Sequence, residues 1–210
     1  MPPGHFKLWE LGFEHGDPSL ANLMVDPGTG NGVLNDWDLS RRRVTDGPTR
    51  SGAERTGTIP FMAIDLLSQD ALDRKVPRLY RHDLEGFIWV LVWVFLQYEG
   101  CKRVQDTLEE WRSGNLKNCR AAKLEFLSNP ASYHAVPSWR KEWDMTMGLL
   151  DWLETERSAR VAVKIAERQA ARRQAAGQGD GVQLEPPPLE VHRKFLDQLK
   201  SSVGMNRWLG

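Results

Sequence analysis

Three oxygen-bearing side chains stand close together in the stretch His15–Asp38: Asp17, Asn22 and Asp36. Asp17 and Asn22 are five residues apart on a segment that cannot be regular helix throughout, because Pro18 removes a backbone donor and restrains the residue before it. Two short apolar runs follow, Leu23–Val25 and Gly32–Asn35, separated by the turn formers Asp26-Pro27-Gly28-Thr29-Gly30 and Asn31. Runs of that kind predict two strands joined as a hairpin, and a hairpin brings its ends together. Asp36, after the returning strand, then lies beside Asn22, before the outgoing one. An amide oxygen and two carboxylates at one end of a hairpin are hard donors that suit Mg²⁺, which takes one or two carboxylates and completes its shell with water and phosphate. Asp and Asn are also the residues that turns prefer. Spacing alone leaves both readings open, with turn chemistry the heavier.

The elements that must position these groups are readable from pattern. Phe87–Leu96, FIWVLVWVFL, is ten apolar residues long, against roughly 20 needed to span a bilayer. Asp83 as N-cap, Glu85 in the first turn and continuation to Tyr98 predict a helix over 83–98, buried on all sides, rather than a strand. Trp89 and Trp93 share one face of it as core residues. Residues 5–13 predict the end of a helix stopped by Gly12, and 61–67 a short helix. Residues 104–112, 119–128 and 140–153 show helical spacing of apolar residues. From 154 to 176 the chain is rich in Ala, Arg, Glu and Gln. Residues 157–173 hold six basic side chains and one acidic, and are expected to form a solvated helical face. GQGDG and PPP mark a linker, and 189–199 a last amphipathic helix. The expected organisation is a lobe over 1–153, a basic helix and Pro/Gly linker over 154–188, and a terminal helix and tail over 189–210. The helices of 154–176 and 189–199 are expected at the periphery.

Composition bounds the rest. The chain has 210 residues, 28 basic and 28 acidic side chains, and nine tryptophans. Zero net charge argues against a global grip on nucleic acid or an anionic membrane, and nine tryptophans argue for a substantial core. Two cysteines, Cys101 and Cys119, make no disulfide framework. With no apolar leader at the N-terminus, the expected location is intracellular, cytoplasmic or nuclear.

Wording narrows the chemistry. His15-Gly16-Asp17-Pro18-Ser19-Leu20-Ala21-Asn22 resembles the protein-kinase catalytic loop, His-x-Asp-x-x-x-x-Asn, and Asp36-Trp37-Asp38-Leu39-Ser40 resembles the magnesium-loop motif that follows it. Arg55–Met62 is similar to the substrate-docking end of an activation segment, with Ala63-Ile64-Asp65 where kinases have Ala-Pro-Glu. Asp83 resembles the aspartate opening the central helix of the kinase large lobe. LNDWDLS, GTIPFMAIDLL and YRHDLEGFIWVLVW together resemble the fungal-type protein kinase family, over about residues 5–98.

That resemblance implies a mainly α fold with a small β-hairpin, a protein-kinase-like C-terminal lobe without its N-terminal lobe. It implies Asp17 as catalytic base, Asn22 and Asp36 as the residues holding Mg²⁺ and ATP, and His15, Thr58 and Asp83 as structural support. The implied reaction is ATP/Mg-dependent phosphoryl transfer to Ser/Thr hydroxyls of a protein substrate, with neither nucleic acid nor membrane as partner. No glycine-rich phosphate loop precedes His15, and GTGNG at 28–32 lies inside the hairpin. The isolated chain is therefore expected to bind ATP and Mg²⁺ weakly and to be nearly or wholly inactive. Two alternatives stand beside this: a non-catalytic pseudokinase-like interaction module, and a small-molecule phosphotransferase of the aminoglycoside or choline kinase type, which also carries Gly at the second loop position.

Departures from the kinase pattern carry expectations of their own. Gly16 replaces the usual loop arginine, which makes switching through phosphorylated Thr45, Thr49 or Ser51 less expected; Arg41, Arg42 and Arg43 are read as solvated. Asp38 replaces a glycine and is expected to stiffen the magnesium loop or add a ligand oxygen. Asp65 needs an arginine partner, for which Arg140 is the candidate. His5, isolated in the sequence, has no metal-ligand spacing.

Overall fold

The computed structural model describes residues 4–42, 57–174 and 185–201. Arg43, Thr45, Thr49, Ser51, Arg55 and Thr56, most of the Gly/Pro linker and the tail after 201 lie outside them.

The centre is helix α3, Tyr80–Gln97, which is buried along almost its whole length. From Phe87 to Leu96 its sequence is apolar on every side, so it can be covered only by a shell of other elements. α5 (Arg140–Gln174) and α6 (Pro188–Ser201) pack on it, α1 (Gly4–Glu10) and α4 (Leu116–Ser128) reach it through His5–Asp83 and Phe126–Trp89, and the short α2 (Gln69–Leu72) packs on the turn Ile64–Leu67. Trp89, fully buried, packs edge-on against Trp111 at 5.3 Å between ring centroids, and Trp111 meets Phe126 in the same way at 5.6 Å. Edge-to-face pairs of this kind add to what area burial alone gives.

Among the described residues three two-stranded antiparallel ladders accompany the helices. β1 (Phe13–Glu14) pairs with β4 (Arg41–Arg42), β2 (Leu23–Val25) with β3 (Gly32–Leu34), and β5 (Tyr98–Glu99) with β6 (Lys102–Arg103). The protein is thus mostly helical with small antiparallel sheets, and the single expected hairpin is one of two, β1 and β4 being joined across it. β2 and β3 are the expected pair, with Leu23 opposite Leu34. Their turn is built by Asp26, whose carboxylate accepts from Gly28 N at 2.8 Å and Thr29 Oγ1 at 2.9 Å, while Gly30 takes φ +71°. GTGNG is therefore turn structure.

Several boundaries differ from the sequence expectation. α3 begins at Tyr80, so Asp83 lies within its first turn instead of capping it; the N-terminus is closed by Leu79 N donating to His82 Nδ1 at 3.1 Å. In place of the short helix expected over 61–67 there are two 3-10 turns, Ile59–Phe61 and Ile64–Leu67. The helix expected over 104–112 is only a 3-10 turn, Glu109–Arg112, because Arg103 ties Gln97 Oε1 at 2.7 Å and also bonds Asp106, holding this stretch to the end of α3. Leu108 and Trp111 are buried all the same; a spacing of three satisfies a 3-10 turn as well as an α-helix.

α5 runs without a break through residues 153 and 154. The Ala-, Glu- and Arg-rich composition after 154 changes the surface of the helix and not its backbone, since those residues are strong helix formers. Its distal half exposes Val161 and Ile165. α6 is less peripheral than expected. Phe195 is buried against Trp152, and His192 stacks on Phe6 at 4.1 Å and meets Tyr80 Oη at 3.0 Å. Among the described residues no helix is long and apolar enough to cross a membrane. Cys101 is exposed, Cys119 is buried, and both are free thiols.

Candidate active site

The loop His15–Asn22 is held from three directions. Pro18 lies on α3 at Gly86, where an added Cβ would come within 2.5 Å of the proline ring and 3.1 Å of Phe61 O. Only a glycine lets loop and helix approach this closely. Gly16 has φ +84°, a left-handed conformation that side-chain-bearing residues rarely adopt. Its N–H donates to Asp83 Oδ2 at 3.4 Å, and its carbonyl accepts from the Arg78 guanidinium.

Asp83 is completely buried. Besides Gly16 it receives His5 Nε2 at 3.0 Å and faces Arg78 Nη2 at 3.4 Å. Burial alone would push its carboxyl up. The His5 hydrogen bond, the Arg78 charge and the Gly16 amide outweigh that and hold it at about 2.

Asp17 sits above this base. Its N–H donates to His15 Nδ1 at 3.1 Å. Its carboxylate takes three donors from two distant segments: Asn22 Nδ2 to Oδ2 at 3.2 Å, Thr58 N to Oδ1 at 2.8 Å, and Thr58 Oγ1 to Oδ2 at 3.1 Å. Asn22 Nδ2 also reaches Asp17 O at 3.0 Å. Asp17, Asn22 and Thr58 thus form one constellation. His15 Nε2 lies 2.7 Å from Asn35 O, and the ring packs edge-on against Trp37 at 4.7 Å.

Asp36 reaches the same end of the hairpin through the backbone. Asn35 N donates to Asn22 O at 2.8 Å, extending the β2–β3 ladder by one step, so Asp36 follows directly beyond Asn22's partner. Asp36 is exposed and takes φ +63°, a left-handed conformation in which Asp is among the less disfavoured residues. Its side chain makes no capping bond. Positive φ falls on Asp36; Asp38 lies inside the following 3-10 turn, Trp37–Leu39.

The donor chemistry of this end suits Mg²⁺. Asn22 commits its amide nitrogen to Asp17, and the Asp36 carboxylate is exposed, so one neutral oxygen and one carboxylate remain for a cation. Among the described residues there is no cluster of three or more His, Cys, Asp or Glu side chains that could hold a metal. A cation sharing its shell with phosphates needs no such cluster.

The segment carrying Thr58 is anchored by buried charges. Glu85 Oε1 accepts from Ile64 N at 2.7 Å and from Trp89 Nε1 at 3.1 Å; burial pushes its carboxyl up. Lys123, fully buried, donates to Met62 O at 2.6 Å, with its ammonium 4.8 and 5.2 Å from the ring centroids of Trp89 and Trp111. Burial lowers it to about 8. Asp65 pairs with Arg81 at 2.8 Å, so Arg81 and not the exposed Arg140 is its partner. Burial would raise the Asp65 carboxyl, but the His82 hydrogen bond and the Arg81 charge bring it well below the usual range. Arg81 also forks onto Glu185 before α6, with both contacts at 3.3 Å.

Sequence reasoning missed His5, Arg78, Gly86 and Lys123. Each acts at a distance of 61 to 78 residues. The signal within reach was the glycine inside an otherwise bulky helix, which marks a close approach.

No curated protein matches the chain. The family model described as fungal protein kinase matches residues 3–95, a stretch that holds the loop, the hairpin, Thr58 and most of α3. Over this stretch the chain is similar to the fungal protein kinase family.

Proposed function

We propose that residues 1–153 act as the large lobe of a protein-kinase-like phosphotransferase, with Asp17 as the base that orients the hydroxyl of a Ser/Thr substrate. The observation that supports this best is the Asp17 carboxylate itself, fixed by Asn22 on one side and by Thr58 on the other. Phosphoryl transfer asks a protein chiefly for position and charge neutralisation, and a carboxylate held by three donors is positioned in advance. Asn22 and Asp36 would hold Mg²⁺, which neutralises the nucleotide phosphates when bound. Thr58, on the segment clamped by Glu85 and Lys123, links the base to a surface where a peptide could lie. That link favours a protein substrate over a small molecule.

Two measurements test the reading. Mn²⁺ with ATP should broaden the amide signals of Asn22, Leu23 and Asn35, and Asp36→Ala should abolish the effect. Transfer of labelled phosphate from ATP to a Ser/Thr peptide mixture should fall about 100-fold or more in Asp17→Asn. Transfer that is undiminished in Asp17→Asn, or Mn²⁺ that leaves these amides sharp, refutes the reading. Broadening with no transfer at any level supports the non-catalytic interaction module.

A further inference from the structure

We infer that Arg78 is a positioning residue for Asp17, taking from a different segment the place that Gly16 leaves empty in the loop. The inference rests on the phosphotransfer reading of Asp17. The Arg78 guanidinium lies against Gly16: a Cβ built there would stand 2.9 Å from Nη1 and 3.0 Å from Cζ. Nη2 bonds Gly16 O and faces Asp83 Oδ1 at 3.4 Å.

Gly16 O belongs to the peptide unit whose nitrogen is Asp17 N, and that N–H is taken by His15 Nδ1. The preceding unit is held at Gly16 N by Asp83. Both peptide units leading into Asp17 are therefore fixed by side chains, and Arg78 is the one that holds a carbonyl. It does so while paired to Asp83, so one planar group couples the loop to the base of α3. Both contacts come from Nη2 while the rest of the planar group lies against the glycine, a stacking that a tetrahedral ammonium does not offer. φ +84° disfavours a side chain at 16, and the guanidinium occupies the space that one would take.

Thr58 is exposed, so protection of its N–H depends on its bond to Asp17 Oδ1 and reports where that carboxylate sits. Amide exchange in the ¹⁵N-labelled 210-residue chain reads this without requiring turnover. In Arg78→Met, exchange at Asp17 and Thr58 should quicken about tenfold or more, the size expected for losing a charged hydrogen bond, while amides of Ile88–Leu96 keep their rates. Arg78→Lys, which retains charge and bulk, should fall between. In Arg78→Ala, guanidinium chloride at low, non-denaturing concentration should restore part of the protection. Wild-type rates at Asp17 and Thr58 in folded variants, or acceleration only in step with the core amides, would overturn the inference. Mn²⁺ broadening at Asn22 and Asn35 separates it from the reading beneath it. Broadening that survives while the Arg78 variants exchange normally removes the role of Arg78 alone; no broadening in the wild-type chain removes the catalytic purpose.

Discussion

Replacing Asp83 with asparagine keeps the shape of the side chain and removes its charge. In the native protein that carboxylate is wholly buried and is met by donors on every side: His5 at 3.0 Å, Gly16 N at 3.4 Å and Arg78 at 3.4 Å. Its carboxyl is held at about 2 against an ordinary 3.8, and the difference corresponds to about 2 kcal/mol at neutral pH. A folded value below the unfolded one stabilises the protein above pH 3.8, and that contribution drains away as pH falls through about 2. Asparagine loses it at all pH values. It also turns an N–H₂ toward groups that include the donors Gly16 N and Arg78 and removes the charge that Arg78 faces, so the total cost at pH 7 is about 3–5 kcal/mol. Urea unfolding followed by tryptophan fluorescence at pH 7, 5, 4 and 3 measures both parts. The gap between wild type and variant should be widest at pH 7 and narrower by about 1 kcal/mol at pH 3. A gap below about 1 kcal/mol at pH 7, or one that does not change down to pH 3, would refute the account of Asp83 as the charged anchor of the loop.

Gly86→Ala in a helix ordinarily stabilises by about 0.5–1 kcal/mol. Here the new methyl meets Pro18 at 2.5 Å and Phe61 O at 3.1 Å, so the variant should lose about 1–3 kcal/mol; a raised urea midpoint would contradict the close approach of loop and helix. Lys123 is held at about 8 against an ordinary 10.5. Between those values the unfolded chain binds more protons than the native one, so stability attributable to this group rises with pH across that window, by up to about 3 kcal/mol. Urea midpoints at pH 7.5, 9 and 10 should show that rise in wild type and lack it in Lys123→Met; parallel profiles would mean that the ammonium is not desolvated.

What the sequence discloses is what is local. The run Phe87–Leu96 has no polar face, so it must be a buried helix, and it is. The turn formers after Val25 dictate a hairpin, and Leu23 does face Leu34. The spacing of Asp17 and Asn22 sets up a bond that forms. What it hides is set by long-range packing. Nothing around His5 in the sequence indicates that its imidazole bonds a carboxylate 78 residues away. Arg78 belongs to a stretch where a basic residue is unremarkable, and its role depends on the missing side chain at Gly16. Asp83 has the composition of a cap, but the helix starts three residues earlier because His82 closes its N-terminus, and this turns Asp83 inward. The partner of Asp65 is Arg81 and not Arg140, a choice made by the first turn of α3 packing beside the 3-10 turn that carries Asp65.

These hidden contacts share one source. The loop that carries Asp17 and the segment that carries Thr58 each end on a buried carboxylate of α3, Asp83 for Gly16 and Glu85 for Ile64. Two residues along an α-helix are about 200° apart, so the two anchors point to opposite flanks, and the helix stands between the segments it holds. Gly86, next in sequence, removes the bulk that would keep Pro18 and Phe61 O away. The first turns of α3 must therefore carry charge and a glycine where Phe87–Leu96 is wholly apolar. The Asp17–Thr58 bond inherits its geometry from both anchors at once, and loosening either one should move the same carboxylate from a different side.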